Sequence, residues 1–332
     1  MTTVASAALA AAFLAGATAP ASAETDNVRV AEQFGLLYLP QNVVHDRKLI
    51  QKHAKAAGLP EPKVELFKIS GGANINKALL SGNIDFAAAG IGPLLKLWGK
   101  SEGRFKAAIS LSDMPLKLVT NDPKVKKIED YLTIKDHKIA MPAAGVSIQA
   151  QVLQMAAQKL WGEPNKLDHL VVSMKHPTAV AAMLSGGQAV KSHFATLPYS
   201  YEELHSGKIH LVLSSYKLLG SSHTTVAMVT GREFKEKNPK TYKAVVDAYA
   251  EAYAWIYKNQ DEAVKIFIKA TKSKLDPKAI RAMVGDKEEI EYSAVPKHTK
   301  EFADFLHKTG DIPAAKSWKD YFWENVHDQA GS

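Results

Sequence analysis

The chain has 332 residues, of which 46% are hydrophobic and 23% charged, with a formal net charge of +8 and no cysteine. That length exceeds one ordinary core and calls for two domains or two lobes, and the composition excludes a disordered or low-complexity chain. Without cysteine there are no disulfides and no lipid attachment after export. The positive charge is spread over single lysines (Lys48, Lys52, Lys55, Lys63, Lys96, Lys100) with no basic block. A solvated surface is therefore expected, and no nucleic-acid partner.

Residues 1–23 carry no charge and are rich in alanine, with an apolar stretch from Ala8 to Leu14, then Pro20 and Ala21-Ser22-Ala23. A small residue at each of positions 21 and 23 is what a signal peptidase reads, so export with cleavage after Ala23 is expected, although no basic n-region precedes the apolar stretch. The run is too short to span a bilayer, and no later segment is longer. The mature chain is expected to diffuse freely in a periplasm.

Short apolar runs then alternate with amphipathic stretches, the signature of βαβ units and a mostly parallel sheet. Strands are predicted at Val28–Phe34, Lys63–Lys68, Ile84–Ala88, Phe105–Leu111 and Leu116–Thr120. Between them lie helices at Asp46–Ala57, closed by Gly58-Leu59-Pro60, at Asn74–Leu80, and from Pro93 onward. A second series repeats the order. Strands are predicted at Lys138–Met141, Leu170–Met174, Ala189–Phe194 and Ile209–Ser214, with one helix capped by Ser147 and another, Ala179–Leu184, capped by Thr178. After a strand at Val226–Thr230 the pattern turns helical. Asn238-Pro239 opens a helix with Tyr242, Val245, Val246, Tyr249, Tyr253 and Ile256 at helical spacing, read as core packing rather than a cofactor box. Asp276-Pro277, Val295-Pro296 and Pro313 start or break the remaining helices.

Three loops each place glycine or serine between a strand and a helix: Ser70-Gly71-Gly72-Ala73-Asn74, Gly90-Ile91-Gly92-Pro93 and Ala143-Ala144-Gly145-Val146-Ser147. There the first N–H groups of a helix are free and the dipole is positive, so a small anion or polar ligand binds without a charged side chain. In open α/β sheets such turns form the ligand crevice. Gly71 and Gly72 would allow close approach of backbone to ligand.

The run Phe67–Asp85, with its Ser-Gly-Gly turn and its Ser81-Gly82-Asn83-Ile84-Asp85 close, resembles the solute-binding proteins of nitrate, sulfonate, taurine and thiamine-pyrimidine transporters. The resemblance continues through Gly90–Leu95, Lys127–Leu132, Lys138–Pro142, Gly310–Pro313 and Trp318–Tyr321, and covers roughly residues 28–325. It implies an α/β type II periplasmic binding fold, with two lobes joined by two crossover segments and a helical C-terminal tail. Lobe I would comprise 24–115 plus 225–332, and lobe II 116–224. It also implies a monomer that hands a small-molecule ligand to the permease and ATPase subunits of an ABC importer. The alternatives are an enzyme on this fold, as in a pyrimidine-precursor synthase, and a periplasmic sensory subunit.

Carried over by position, the resemblance puts Gln33, Ser70, Gly71, Gly72, Gly90, Ile91, Gly92, Ser147, Gln149, His193, Phe194, Ser222 and His223 at the ligand. Two departures stand out. The second lobe reads Gly187-Gln188-Ala189-Val190-Lys191 where the family has an acidic residue, and His193-Phe194 occupies an aromatic, tryptophan-like position. The matched loops hold no Arg or Lys, so the ligand is neutral or an anion held by main-chain and hydroxyl donors. Phe34, Tyr38, Phe194 and Tyr199 favour an organic ligand: a sulfonate, a carboxylate or a thiamine precursor.

No catalytic residue, cofactor or metal is expected. There is no Gly-x-Ser-x-Gly elbow, no P-loop and no His-Glu-x-x-His, and Gly90-Ile91-Gly92 lacks the third glycine of a dinucleotide fingerprint.

Overall fold

A computed structural model describes residues 23–186 and 190–332. The expected leader, apart from Ala23, and the expected departure at Gly187, Gln188 and Ala189 lie outside the described residues. Among those described, no helix is long and apolar enough to cross a membrane.

The first half opens with β1 (Asn27–Glu32), α1 (Leu39–Asp46), α2 (Leu49–Ala56), β2 (Lys63–Lys68) and α3 (Gly72–Leu80). It continues through β3 (Phe86–Gly90), α4 (Ile91–Lys100) and β4 (Phe105–Asp113). The chain then crosses to a second series: β5 (Lys117–Thr120), β6 (Ile139–Met141), α5 (Ile148–Trp161), β7 (Val171–Ser173) and α6 (His176–Leu184). Next come β8 (Ser192–Ala195), α7 (Tyr199–Leu204), β9 (His210–Ser214) and α8 (Ser215–Leu219). It crosses back into β10 (Thr224–Gly231) and ends in α9 (Arg232–Lys237), α10 (Pro239–Lys258), α11 (Gln260–Thr271), α12 (Pro277–Gly285) and α13 (Thr299–Lys308).

Two five-stranded sheets result, in the orders β2-β1-β3-β10-β4 and β7-β6-β8-β5-β9. Each has a parallel core, β2-β1-β3 in one and β7-β6-β8 in the other, followed by one antiparallel strand that has just crossed from the opposite lobe. Two α/β lobes linked by two crossovers, with helices appended to the first, make this a type II periplasmic binding fold. The crossovers are tied to each other. Ser215 Oγ accepts from the Leu116 N–H at 2.9 Å, and Thr225 Oγ1 both accepts from Met114 N (3.2 Å) and donates to Met114 O (2.8 Å).

Most predicted elements recur with shifted ends, and the differences have physical causes. The segment before Asp46, left unassigned from sequence, is α1 and a preceding turn of 3-10 helix. Leu39, Val43 and Val44 lie on one face of α1 and Gln41, Asn42, His45 and Asp46 on the other, but the element runs for only 8 residues, and Pro40 sits harmlessly in its first turn. The single helix expected over 46–57 is interrupted at Lys48, which takes φ 51°.

Two expected caps fail. Lys175, not Thr178, is the residue before α6, because Pro177 fixes the first turn earlier. Asn238 precedes α10 as expected, but its amide is committed elsewhere: Nδ2 donates to Phe234 O (3.1 Å) and Oδ1 accepts from Thr25 N (2.8 Å). Ser147 does cap α5, accepting from Ala150 N. On α10, Tyr242, Val245, Tyr249, Tyr253 and Ile256 are buried in the core.

Asp85, which closes the motif of residues 81–85, is structural. Its carboxylate accepts from the Arg29 main-chain N–H (2.8 Å) and from the guanidinium at 2.6 and 3.0 Å, stitching β1 to the entrance of β3. Asp85→Ala is expected to cost about 1–3 kcal/mol, because it strands a main-chain donor and a guanidinium together. Urea midpoints of the two proteins measure it.

Candidate functional site

The βα turns of both sheets face one another. From the first sheet come the ends of β1, β2 and β3 with the starts of α3 and α4. From the second come the ends of β6 and β7 with the starts of α5 and α6, and the turn from β8 to α7. They enclose a cavity of about 30 Å³. That is room for about one ordered water, so the two lobes stand closed, and an organic guest would hold them further apart than this.

The first lobe supplies Gln33, Phe34, Leu37, Tyr38, Ser70, Gly72, Gly90 and Pro93 to the wall, and β10 adds Thr225 and Val226. The second supplies Pro142, Ser147, Ile148, Gln149, His176 and Thr196. None of these is Asp, Glu, Lys or Arg. The wall is apolar surface studded with hydroxyls, carboxamides and one imidazole, which fits a ligand oriented by hydrogen bonds.

Several wall groups are already committed. Gln33 Oε1 accepts from Gly71 N (2.8 Å), and Gln33 Nε2 lies 3.1 Å from the Tyr38 hydroxyl. Thr196 Oγ1 is buried with no hydrogen-bond partner, a group that a ligand would satisfy. Behind the wall, Glu32 is 2% exposed and 3.2 Å from Lys68; burial raises its carboxyl to about 7.

Glycines form the seam along which the lobes meet. A Cβ on Gly35 would stand 2.6 Å from Leu197 O, and one on Gly71 2.9 Å from Pro142 O. A Cβ on Gly92 would stand 2.3 Å from the Gln151 carboxamide, and one on Gly90 3.4 Å from Ile148. Across the same seam the Leu36 N–H donates to Leu197 O (2.9 Å) and Lys96 Nζ to Gly145 O (3.0 Å). Four of the glycines singled out from sequence, Gly71, Gly72, Gly90 and Gly92, therefore meet protein, while Gly145 has nothing within 4 Å. Gly71 and Gly92 bring lobe I against lobe II, and Gly72 seats α3 on Pro93, which a Cβ would approach to 2.2 Å.

The residues expected at the ligand separate into two groups. Gln33, Ser70, Gly72, Gly90, Ser147 and Gln149 line the cavity. Gly71, Ile91, Gly92, His193, Phe194, Ser222 and His223 do not. Ile91 and Phe194 point into the core and are fully buried.

His193 is fully buried behind the wall, because residues alternate across β8 and its side of the strand packs under α6 and α7. Ser222 and His223 belong to the crossover. His223 Nε2 lies 2.9 Å from Ser215 Oγ, its ring is edge-on to Tyr216 and Phe302, and burial lowers its pKa to about 4. The imidazole on the wall is His176, which the sequence reading passed over. His176-Pro177 follows a strand and opens a helix, as the three glycine- and serine-rich loops do, but it contains neither glycine nor serine. Tyr199 stacks beneath this ring at 5.5 Å.

Residues 22–270, most of the chain, match the NMT1-like family. The chain belongs to the NMT1-like family. Among solved structures, an alkanesulfonate-binding protein SsuA from Xanthomonas axonopodis pv. citri, bound to MOPS, superposes with a TM-score of 0.71 at 16% identity. The match covers 91% of this chain and 99% of that one. The periplasmic nitrate-binding protein NrtA from Synechocystis PCC 6803 gives a TM-score of 0.68 at 18% identity, over 91% and 87% of the two chains. The Candida albicans CA3427 gene product, described as having the generic periplasmic binding protein fold, gives 0.66 at 13% identity, over 90% and 96%. At these identities the likeness is one of fold. No curated protein matches the sequence.

Proposed function

We propose that this NMT1-like chain is the substrate-binding component of an ABC importer. In this reading it works in the periplasm as a monomer and holds a small organic anion or polar metabolite between its lobes for delivery to the permease and ATPase. The lobe boundaries would fall near residues 115/116 and 224/225, at the tied crossovers. The observation that carries the reading is the interlobe cavity, to which both sheets contribute helix starts and neutral donors. A guest touching both walls favours the closed state over the open one, and the closed shape is what a permease recognises.

The uncharged wall argues for a ligand whose oxygens are held by N–H and O–H groups, a carboxylate or sulfonate on an apolar body, over a bare inorganic ion. Nitrate lacks the apolar surface that Phe34, Leu37 and Tyr38 would cover.

The test is a thermal-shift screen of a few hundred small metabolites, followed by mass analysis of each hit after incubation. At a hundred times its dissociation constant, a ligand stabilises by about 2.7 kcal/mol. Hits recovered unchanged support a binding protein. Hits recovered chemically altered support an enzyme on the same fold.

A further inference from the structure

Among the residues that line the cavity, His176 is the one histidine, and it is the outer end of a buried chain. Its Nδ1 lies 2.7 Å from His193 Nε2, and His193 Nδ1 lies 2.7 Å from Glu203 Oε1. Glu203 and His193 are fully buried, and His176 is 6% exposed. The remaining ring nitrogen, His176 Nε2, is 3.4 Å from Gln149 Nε2. Among the described residues no three such side chains converge as metal ligands.

The protons along this chain, and the partners available at its two ends, together set its polarity. Each of the two short contacts needs one hydrogen. With zero net charge the three groups share three dissociable protons: two fill the contacts, and the third sits at one end of the chain, on His176 Nε2 or on Glu203 Oε2. With the third proton on Nε2, both contacts stay filled whether Glu203 keeps the inner proton or passes it to His193. The opposite polarity, with His176 Nε2 bare, needs either the proton on Glu203 Oε2, a buried hydroxyl with no acceptor, or only two protons and a net negative charge.

Nothing nearby would neutralise that charge. Among the described residues the one ion-pair partner of Glu203 is His193, and Glu203 Oε2 has no hydrogen-bond partner at all. A lone buried carboxylate with an orphan oxygen is strongly disfavoured. Burial pushes the groups the same way, raising the Glu203 carboxyl to about 9 and lowering His193 to about 3.

We propose that Glu203 and His193 are positioning residues that hold His176 as its Nε2–H tautomer, so that the wall of the second lobe presents a fixed donor to an acceptor oxygen of the ligand. With Nε2 protonated, the imidazole and the Gln149 amide nitrogen are two donors that cannot bond each other. Both are left for one acceptor, and the unpartnered Thr196 hydroxyl lines the same cavity. The ligand part of this rests on the solute-binding reading; the tautomer does not.

The experiment uses the mature protein with ring-¹⁵N histidine at pH 7, observed by long-range ¹H–¹⁵N correlation. His176 is assigned by the signals lost in His176→Gln. The expected spectrum has His176 Nε2 protonated and Nδ1 bare. Glu203→Gln, whose amide can donate to His193 Nδ1, should preserve that pattern, and Glu203→Met should turn it into a tautomer mixture. Wild-type protein with Nδ1 protonated, or with both nitrogens protonated, would overturn the relay without any variant needing to fold. An unmixed tautomer in folded Glu203→Met would remove the positioning role. Methanesulfonate and benzoate are then added to the wild type. A shift of the His176 Nε2 resonance, with binding of the same anion weakened in His176→Phe, supports the donor role, and a resonance unmoved by both overturns it while leaving the tautomer result and the metabolite screen to stand separately.

Discussion

A leucine at position 92 leaves both lobes folded and holds them apart. Gly92 is the second residue of α4, and the three atoms nearest to a Cβ there all belong to Gln151 on α5 of the opposite lobe. The cost therefore falls on closure. Overpacking of this kind costs roughly 1–3 kcal/mol. Charged against the closed state alone, that is about one to two powers of ten in ligand affinity. Opening also rehydrates Gln151, whose two polar side-chain atoms are buried without partners in the closed form. Gly92→Leu should show a larger radius of gyration by small-angle scattering and an unchanged unfolding enthalpy. Gly72→Leu is the contrasting case. Its obstruction is Pro93 in the same lobe, so it should lower stability rather than block closure. Equal losses of stability in the two variants would refute the division between seam and lobe packing.

Between pH 7 and 9 the wild-type protein should lose stability that Glu203→Gln does not lose. Burial raises the Glu203 carboxyl from its ordinary 4.5 to about 9. The folded state therefore keeps a proton that the unfolded state releases, and stability falls as pH rises between those two values. Over pH 7 to 9 the linkage amounts to about 1–3 kcal/mol, at roughly 1.4 kcal/mol per unit. Below about pH 6.5 the opposite sign operates. His176, His193 and His223 are held neutral by burial, so the unfolded state binds protons that the folded state does not, and stability falls on acidification. Asp113, raised by burial to about 6, and Glu32, raised to about 7, oppose that loss in part. Urea midpoints at pH 7 and 9 for the two proteins decide the matter. Parallel slopes would mean that Glu203 is ionised in the folded state.

How far the site was legible in the sequence follows from which interactions are local. Strand and helix alternation is written residue by residue, so both sheets could be anticipated, and Ser147 could be read as a cap because its partner, Ala150, is three residues away. The turns after β2, β3 and β6 were found for the same reason. What could not be read is what each glycine faces. Gly71, Gly90 and Gly92 look like ligand-approach glycines, and their neighbours Pro142, Ile148 and Gln151 come from the other lobe. The histidines failed similarly. A histidine in a strand is on one face or the other, and only the packing of α6 and α7 decides that His193 is behind the wall and His176 in it. α1 was missed because its apolar and polar faces are written in only 8 residues, too few for the period to stand out.

The most direct test is scattering of the wild-type protein with and without a hit from the metabolite screen, beside Gly92→Leu and the double variant Gln149→Ala/His176→Phe. If a guest bridges the two walls, it should compact the wild type and fail to compact either variant. A guest that binds both variants as tightly as the wild type, with no change in dimensions, would mean that it sits elsewhere than between the lobes.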